Sequence, residues 1–157
     1  MNKYLGIHQK GSRMTIQASY VRGLFANLEN GRTDAFFDHV AEDVNWTVMG
    51  THPLAGTYLT KADFLAHTFG RLNKLLKEGV VLRVTNLLVD GDTAAVELES
   101  LSTALNGKPF DNRYCWVARF SNGIIVEVRT YLDSALVKQL IDENEHPPST
   151  VSSAERS

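Results

Sequence analysis

The apolar and polar positions of this chain fall into two rhythms, one extended and one helical. Over 124–133 the side chains alternate strictly. Ile124, Val126, Val128, Thr130 and Leu132 point one way; Ile125, Glu127, Arg129, Tyr131 and Asp133 point the other. A period of two, rich in β-branched residues, predicts a strand with one apolar face. Directly afterwards, over 134–143, the spacing becomes helical, with Leu136, Val137, Leu140 and Ile141 on one side. Asp133 stands at that junction. It invites a reading as a catalytic acid, but an Asp or Ser there more simply caps the free amides of the first helical turn, a role open to Asp133 or Ser134.

The helical rhythm also marks the start of the chain. Within 15–29, Val21, Leu24, Phe25 and Leu28 recur at i, i+3, i+4 and i+7, and Gly31 closes the run. A short helix over 34–40 carries Phe36, Phe37 and Val40, with Thr33 as its cap. A strand over 44–49 carries Trp46 and Val48, and 50–58 is a turn-rich loop with His52, Pro53 and Gly56. Thr60 followed by Asp63 resembles a capping box and opens a helix over 61–78, which Gly79 stops. From 80 onward the chain is extended: 80–89, 93–105, 108–120 and 124–132, punctuated by Asp90-Gly91-Asp92, Asn106-Gly107 and Ser121-Asn122-Gly123. Helices first and a long antiparallel meander after them give an α+β class, with the helices covering one face of a curved sheet. The aperiodic stretch 1–13 reads as an arm or extension ahead of Met14. The Pro/Ser-rich stretch 146–157 reads as a disordered tail, leaving 14–145 as the domain.

The turns predict a register. A two-residue Asn106-Gly107 loop pairs Leu105 with Lys108, which sets Leu101 opposite Asn112, Glu99 opposite Tyr114 and Glu97 opposite Trp116. A three-residue Ser121-Asn122-Gly123 loop pairs Phe120 with Ile124, which sets Trp116 beside Val128, Tyr114 beside Thr130 and Asn112 beside Leu132. One face then mixes large apolar groups with a few polar ones, as a small-molecule pocket does. The alternative is a helix-covered core with Glu97 and Glu99 at its open edge. The opposite face carries Arg113, Cys115, Val117, Arg119, Glu127, Arg129 and Tyr131.

Composition narrows the function classes. The net charge is −2 with no basic block, which argues against nucleic acid as a partner. The single cysteine, Cys115, excludes an intrachain disulfide. No apolar run reaches the ~18–20 residues of a membrane span, and 1–13 lacks the apolar centre of a signal peptide, so a cytoplasmic location is the default. The five histidines are scattered without metal-ligand spacing, and neither a metal nor an organic cofactor is expected. His52, after the first strand, reaches the pocket mouth or simply lies on the surface.

Three stretches carry a resemblance: 20–31; 44–58, ending His52-Pro53-Leu54-Ala55-Gly56-Thr57-Tyr58; and 122–140, with Gly-Ile-Ile-Val-Glu-Val-Arg-Thr-Tyr-Leu-Asp. On these the chain resembles the nuclear transport factor 2-like (NTF2-like) superfamily, most of all its SnoaL-like and ketosteroid isomerase-related branch. The resemblance implies a cone-shaped curved antiparallel sheet with helices packed on its concave face, a cystatin-like α+β roll, and a homodimer paired through the sheet. The fold hosts isomerases, cyclases, epoxide hydrolases, dehydratases and non-enzymes, so it does not fix the chemistry. Where ketosteroid isomerases have a base Asp, this chain has Val48; where they have an oxyanion-binding Asp, it has Trp116. Polyketide cyclases of the SnoaL type, and limonene-type epoxide hydrolases, place an Asp at what is here Thr130. The hydrolases' Tyr/Asn pair falls near Trp46 and Val48, and their Arg-x-Asp near Glu97-x-Glu99. The resemblance puts positions 48, 99, 116 and 130 on the pocket face.

The reading that follows is a pocket for a small apolar or aromatic molecule, with acid–base chemistry (isomerase, cyclase or hydrolase) carried by Glu99 and Tyr114. The substrate would be held by Trp46, Val48, His52, Glu97, Leu101, Asn112, Trp116, Val128, Thr130 and Leu132. The alternative is a non-catalytic ligand-binding or protein-interaction member of the same fold.

Overall fold

The computed structural model describes residues 15–145, so the expectations for the 1–13 arm and the 146–157 tail lie outside the described residues. The first helical run forms α1 (Ala18–Glu29), which buries Val21, Leu24, Phe25 and Leu28 and is followed by Gly31 in the left-handed region at φ +72°. In α2 (Thr33–Phe37) the cap position belongs to Arg32, which makes no side-chain cap bond, so Thr33 is the first helical residue and not the cap. β1 (Val40–Val48) starts earlier than its apolar alternation suggests. β2 (Gly56–Tyr58) pairs back on it, Trp46 with Tyr58, within a stretch expected to be loop.

The helix expected over 61–78 is broken. Thr60 caps α3 (Lys61–His67) by accepting from the Asp63 amide at 3.0 Å. At Thr68 the chain turns (φ −119°, ψ −83°) and resumes as the short α4 (Phe69–Leu72). The Thr68 hydroxyl donates to the Phe64 carbonyl at 2.7 Å, the back-bonding by which Thr bends helices.

The rest of the sheet follows: β3 (Leu82–Asp90), β4 (Thr93–Ser100), a small ladder of β5 (Ser102–Thr103) with β6 (Pro109–Phe110), β7 (Arg113–Ser121) and β8 (Ile124–Leu132). The six-stranded sheet runs β2-β1-β8-β7-β4-β3 and is unclosed. It is antiparallel except where β1 lies parallel to β8, so it is not purely the expected antiparallel sheet. Finally α5 (Ser134–Asn144) starts from a cap in which the Asp133 carboxylate accepts the Leu136 amide at 3.2 Å. One buried cluster joins α1, α2, Phe64 and Phe69 to the concave face of the sheet. It is dense in rings: Trp46 stacks on Phe64 with centroids 3.8 Å apart, and Trp116 meets Trp46 edge-on at 5.2 Å.

Both predicted registers need correction. At Asn106-Gly107 the hairpin closes one residue earlier. The Ala104 amide donates to the Lys108 carbonyl at 2.9 Å around a three-residue loop, Leu105-Asn106-Gly107. Tertiary partners decide this: the Leu105 amide donates to the Leu75 carbonyl, and the Asn106 amide to Asn144 Oδ1 on α5. A slip of one residue exchanges the faces of a strand. Val96 therefore pairs with Trp116 and Leu98 with Tyr114, while Glu97 faces Cys115 and Glu99 faces Arg113. At the next turn, Asn122 (φ +52°) and Gly123 (φ +80°) form a two-residue loop pairing Ser121 with Ile124. An irregularity between Arg119 and Phe120 then offsets the ladder, so Trp116 lies beside Thr130 and Tyr114 beside Leu132. That offset is two residues, and the faces of β8 remain as read.

Candidate functional site

A half-open cavity of about 40 Å³ lies between the concave face of the sheet and the helices. Its sheet wall is Val48 of β1, Tyr114 and Trp116 of β7, and Thr130 and Leu132 of β8. Its helical wall is Phe64, Thr68, Phe69 and Leu72, positioned by the break at Thr68, with Val137 of α5. Val80 and Leu82, with His52 and Leu54 from the loop after β1, complete the lining. A wider hollow of about 180 Å³ lies between the β5–β6 hairpin and α5, but the charged groups at its edge already serve one another, with Lys108 and Gln139 both donating to Glu143. The cone cavity is the better site because apolar walls with a few polar groups are what small molecules bind.

Of the residues singled out from sequence, Val48, His52, Tyr114, Trp116, Thr130 and Leu132 meet around this cavity. Trp46 and Val128 are buried in the packing around it. Four others are elsewhere. Glu97 and Glu99 face outward, where Glu97 accepts from Asn86 at 2.9 Å and Glu99 is ion-paired with Arg83; the one-residue slip of β4 put them there. Leu101 is 42% exposed beyond the end of β4. Asn112 is 1% exposed and fully engaged: its Oδ1 accepts from the Arg113 and Asp133 amides, and its Nδ2 donates to the Asp133 carbonyl. It ties the start of β7 to the end of β8. Phe64, Thr68, Phe69, Leu72, Leu82 and Val137 were read only as core or not at all. The helical spacing of the 61–78 run signals Phe64, Phe69 and Leu72, and that of the 134–143 run signals Val137.

The cavity's polar groups are uncharged donors. The Trp46 indole donates to Thr130 Oγ1 at 2.8 Å, which occupies one lone pair and leaves the Thr130 hydrogen available. Trp116 Nε1 is buried and has no acceptor among the described residues. Burial pushes the Tyr114 phenol well above the usual tyrosine pKa, so it stays protonated at neutral pH. His52 is buried, not on the surface. Its Nε2 lies 2.9 Å from the Met49 carbonyl and its Nδ1 accepts from the Leu54 amide, so both ring nitrogens are held by backbone and the ring is the Nε2–H tautomer. The fit is tight: at Gly50, with φ +116°, a Cβ would clash with Ser134 Oγ and lie 2.9 Å from the His52 ring. Among the described residues no three His, Cys, Asp or Glu side chains gather as a metal site would need. Such a cavity can exclude water, hold an apolar molecule and donate hydrogen bonds to its oxygens.

Comparison with known proteins agrees with this geometry. A family model for the SnoaL-like domain matches residues 21–128. The chain belongs to that family, within the NTF2-like superfamily. It is 30% identical over 134 residues to the dimerizing cyclase phiC of a fungal species, covering 83% of this chain and 59% of that one. It is 28% identical over 116 residues to the dimerizing cyclase tstC of Talaromyces stipitatus, covering 71% and 52%. The chain thus spans between half and three-fifths of the length of these relatives. A solved NTF2-like protein from Burkholderia thailandensis is 27% identical with a TM-score of 0.67, over 78% of this chain and 95% of that one.

Proposed function

We propose that this protein is a small-molecule cyclase that closes a ring in an apolar substrate held inside the cone. The apolar cavity on the concave face, with a few uncharged polar groups in its walls, carries this reading, and the fungal relatives named as dimerizing cyclases support it. Folding a flexible molecule into a reactive geometry away from water removes much of the entropic barrier to ring closure. Donors already in place then stabilise negative charge as it develops on a carbonyl oxygen. The test is to incubate the protein with substrates accepted by the fungal relatives and look for ring-closed product by mass spectrometry. Product is expected with the parent and is expected to be lost with Leu72→Trp, which fills the cavity from the helical wall. Equal product from a folded Leu72→Trp protein would move the reaction out of the cavity.

A second reading, a non-catalytic carrier of the same ligand, is favoured by how the lining His and Tyr are held. His52 has both nitrogens engaged by backbone, and Tyr114 has its pKa pushed up. Ligand bound without turnover would select it. We also propose that the outer sheet face pairs with a second copy. Leu88 and Tyr131 are exposed there among arginines and glutamates of both signs. A stable pair needs about 800 Å² from each partner, and light scattering at micromolar concentration should give twice the chain mass. No helix among the described residues is long and apolar enough to cross a membrane.

A further inference from the structure

The cavity as it stands is too small for a molecule that is to be folded and ring-closed. About 40 Å³ is room for a few waters, whereas sites for small organic molecules run to about 300–1,000 Å³. One wall must therefore give. The sheet wall is a hydrogen-bonded ladder, and the loop after β1 is pinned through both nitrogens of His52. Phe64 and Phe69 belong to the same buried cluster as the sheet face. Leu72 and Val137 do not: they belong to a second cluster, in which α5 packs with Leu54, Leu72, Leu75 and Leu76. The cavity lies on the seam between the two clusters, and Val80 and Leu132 pack against both. One ion pair joins the two walls on the second cluster's side. Arg71 stands in α4 between the lining residues Phe69 and Leu72, and Glu145 stands at the C-cap of α5. Arg71 Nε donates to Glu145 Oε2 at 2.7 Å and Nη2 donates to Oε1 at 2.6 Å, the two-pronged grip by which Arg holds a carboxylate best. Those bonds hold the Glu145 carboxyl below its ordinary range, so the pair is ionised at neutral pH. The other ties at that end of α5, from the Asn106 amide to Asn144 and from Lys108 to Glu143, run to the β5–β6 hairpin, which puts no residue into the lining.

We propose that the Arg71–Glu145 pair is a latch that holds α5 against α4 and keeps the cone small. A ligand larger than the resting cavity binds only as the pair parts and α5 swings from its start at Asp133, opening the seam between Leu72 and Val137. The two side chains are 34% and 36% exposed, so water receives both charges as they separate and the latch is light. Apolar groups of the ligand replace the contacts that α5 gives up along Leu72. The latch thus selects ligands by size. A guest of atomic size fits the resting cavity and does not feel the latch. A larger one binds with its affinity lowered by the fraction of molecules that are open. This rests on the cone being the ligand site, the reading proposed above.

The variants are Arg71→Gln, Glu145→Gln, the two combined, and the exchanged pair Arg71→Glu with Glu145→Arg. The first readout needs no ligand. Native-state hydrogen exchange of the α5 amides at 140–144 should run about threefold to fivefold faster in all three Gln variants, the most that a partly exposed pair is worth as an equilibrium constant. The amides of Trp116 and Val128, inside β7 and β8, should keep their parent rates. The second readout is affinity for two uncharged probes: N-phenyl-1-naphthylamine, followed by its fluorescence, and xenon, which enters small apolar cavities, followed by ¹²⁹Xe NMR. The naphthylamine should bind tighter by the same factor in the three Gln variants, and xenon should bind equally in all. The double variant should go no further than either single one, because losing either partner already frees the latch, whereas two separate structural roles would add. The exchanged pair should return both readouts to the parent values. Unchanged α5 exchange in the Gln variants would overturn the latch. So would naphthylamine affinity that stays at the parent value in those variants while Leu72→Trp abolishes binding, since the cone would then be the ligand site with no latch on it. Naphthylamine bound equally well by Leu72→Trp, with α5 exchange still faster in the Gln variants, does the reverse: the pair holds α5 and the cone is not the site.

Discussion

The two faces of the sheet are made by the same strands, residue by alternate residue, and share almost no chemistry. Inward, Ala94, Val96 and Leu98 of β4 and Trp116 and Ala118 of β7 are 3% exposed or less. Outward, Glu97, Glu99, Arg113, Arg119, Glu127 and Arg129 stand among partly exposed neighbours, with Arg83 on Glu99 and both Arg119 and Arg129 on Glu127. The inner face has rings and uncharged donors; the outer face has full charges that solvent screens. Stability and ligand chemistry should therefore belong to the inner face, and the outer charges should be replaceable.

The largest effect that would break this contrast is the loss of a ring. Trp46 is fully buried, stacked on Phe64 and bonded to Thr130. Trp46→Ala should destabilise by about 3–5 kcal/mol, as large-to-small core changes do, read by urea unfolding. A loss below about 1 kcal/mol would mean that the aromatic cluster is not the core. Next comes Asn112, where the start of β7 meets the end of β8. Removing its three hydrogen bonds by Asn112→Ala should cost about 1–3 kcal/mol. Ligand affinity should stay unchanged, because its amide serves backbone and not the cavity.

A smaller effect separates the faces by pH. The Tyr114 pKa is raised in the folded protein by burial, so the unfolded chain ionises first, near pH 10. Tyr114's contribution is then fully present below pH 10 and is lost as pH rises beyond it, at up to about 1.4 kcal/mol per pH unit. Tyr58, whose pKa burial also raises, adds to the loss in the same direction. Tyr114→Phe should leave stability at pH 7 little changed and flatten the decline above pH 10 in denaturant titrations. An unaltered slope would mean that the phenol is solvated.

How much of this could be read from the chain depended on whether local signals or distant partners decided. The helix starts at Thr60 and Asp133, the α1 stripe and the sides of β8 follow from period and capping chemistry, and those stand in the structure. The β4 register did not follow from its turn. Asn106-Gly107 signals a two-residue loop, yet Leu105 and Asn106 are held by Leu75 and Asn144, distant in sequence. The alternation of Ala94, Val96, Leu98 and Ser100 carried the correct face, and weighing it against the turn would have moved Glu97 and Glu99 outward. Thr68 and its neighbours were hidden because a helix break made by a threonine back-bond leaves no gap in the apolar spacing.

The smallest expected effect is the most direct check on that correction. With Glu99 paired to Tyr114, its carboxylate would have been the natural proton carrier of the cavity. In the structure it lies across from Arg113 and is ion-paired with Arg83, a side chain 50% exposed. A surface pair of this kind contributes at most about 1 kcal/mol. Glu99→Gln keeps the size and the ability to accept from Arg83 and removes the charge. It should change stability by no more than about 0.5 kcal/mol and leave ring closure as in the parent. Cys115 offers an internal reference on the same face: burial and then Glu97 hold its thiol above the ordinary cysteine range. Glu97→Gln should therefore speed its alkylation at pH 8, while Glu99→Gln leaves cavity chemistry untouched. A large loss of turnover in Glu99→Gln with stability intact would place that carboxylate back inside the cone and reverse the assignment of the two faces of β4.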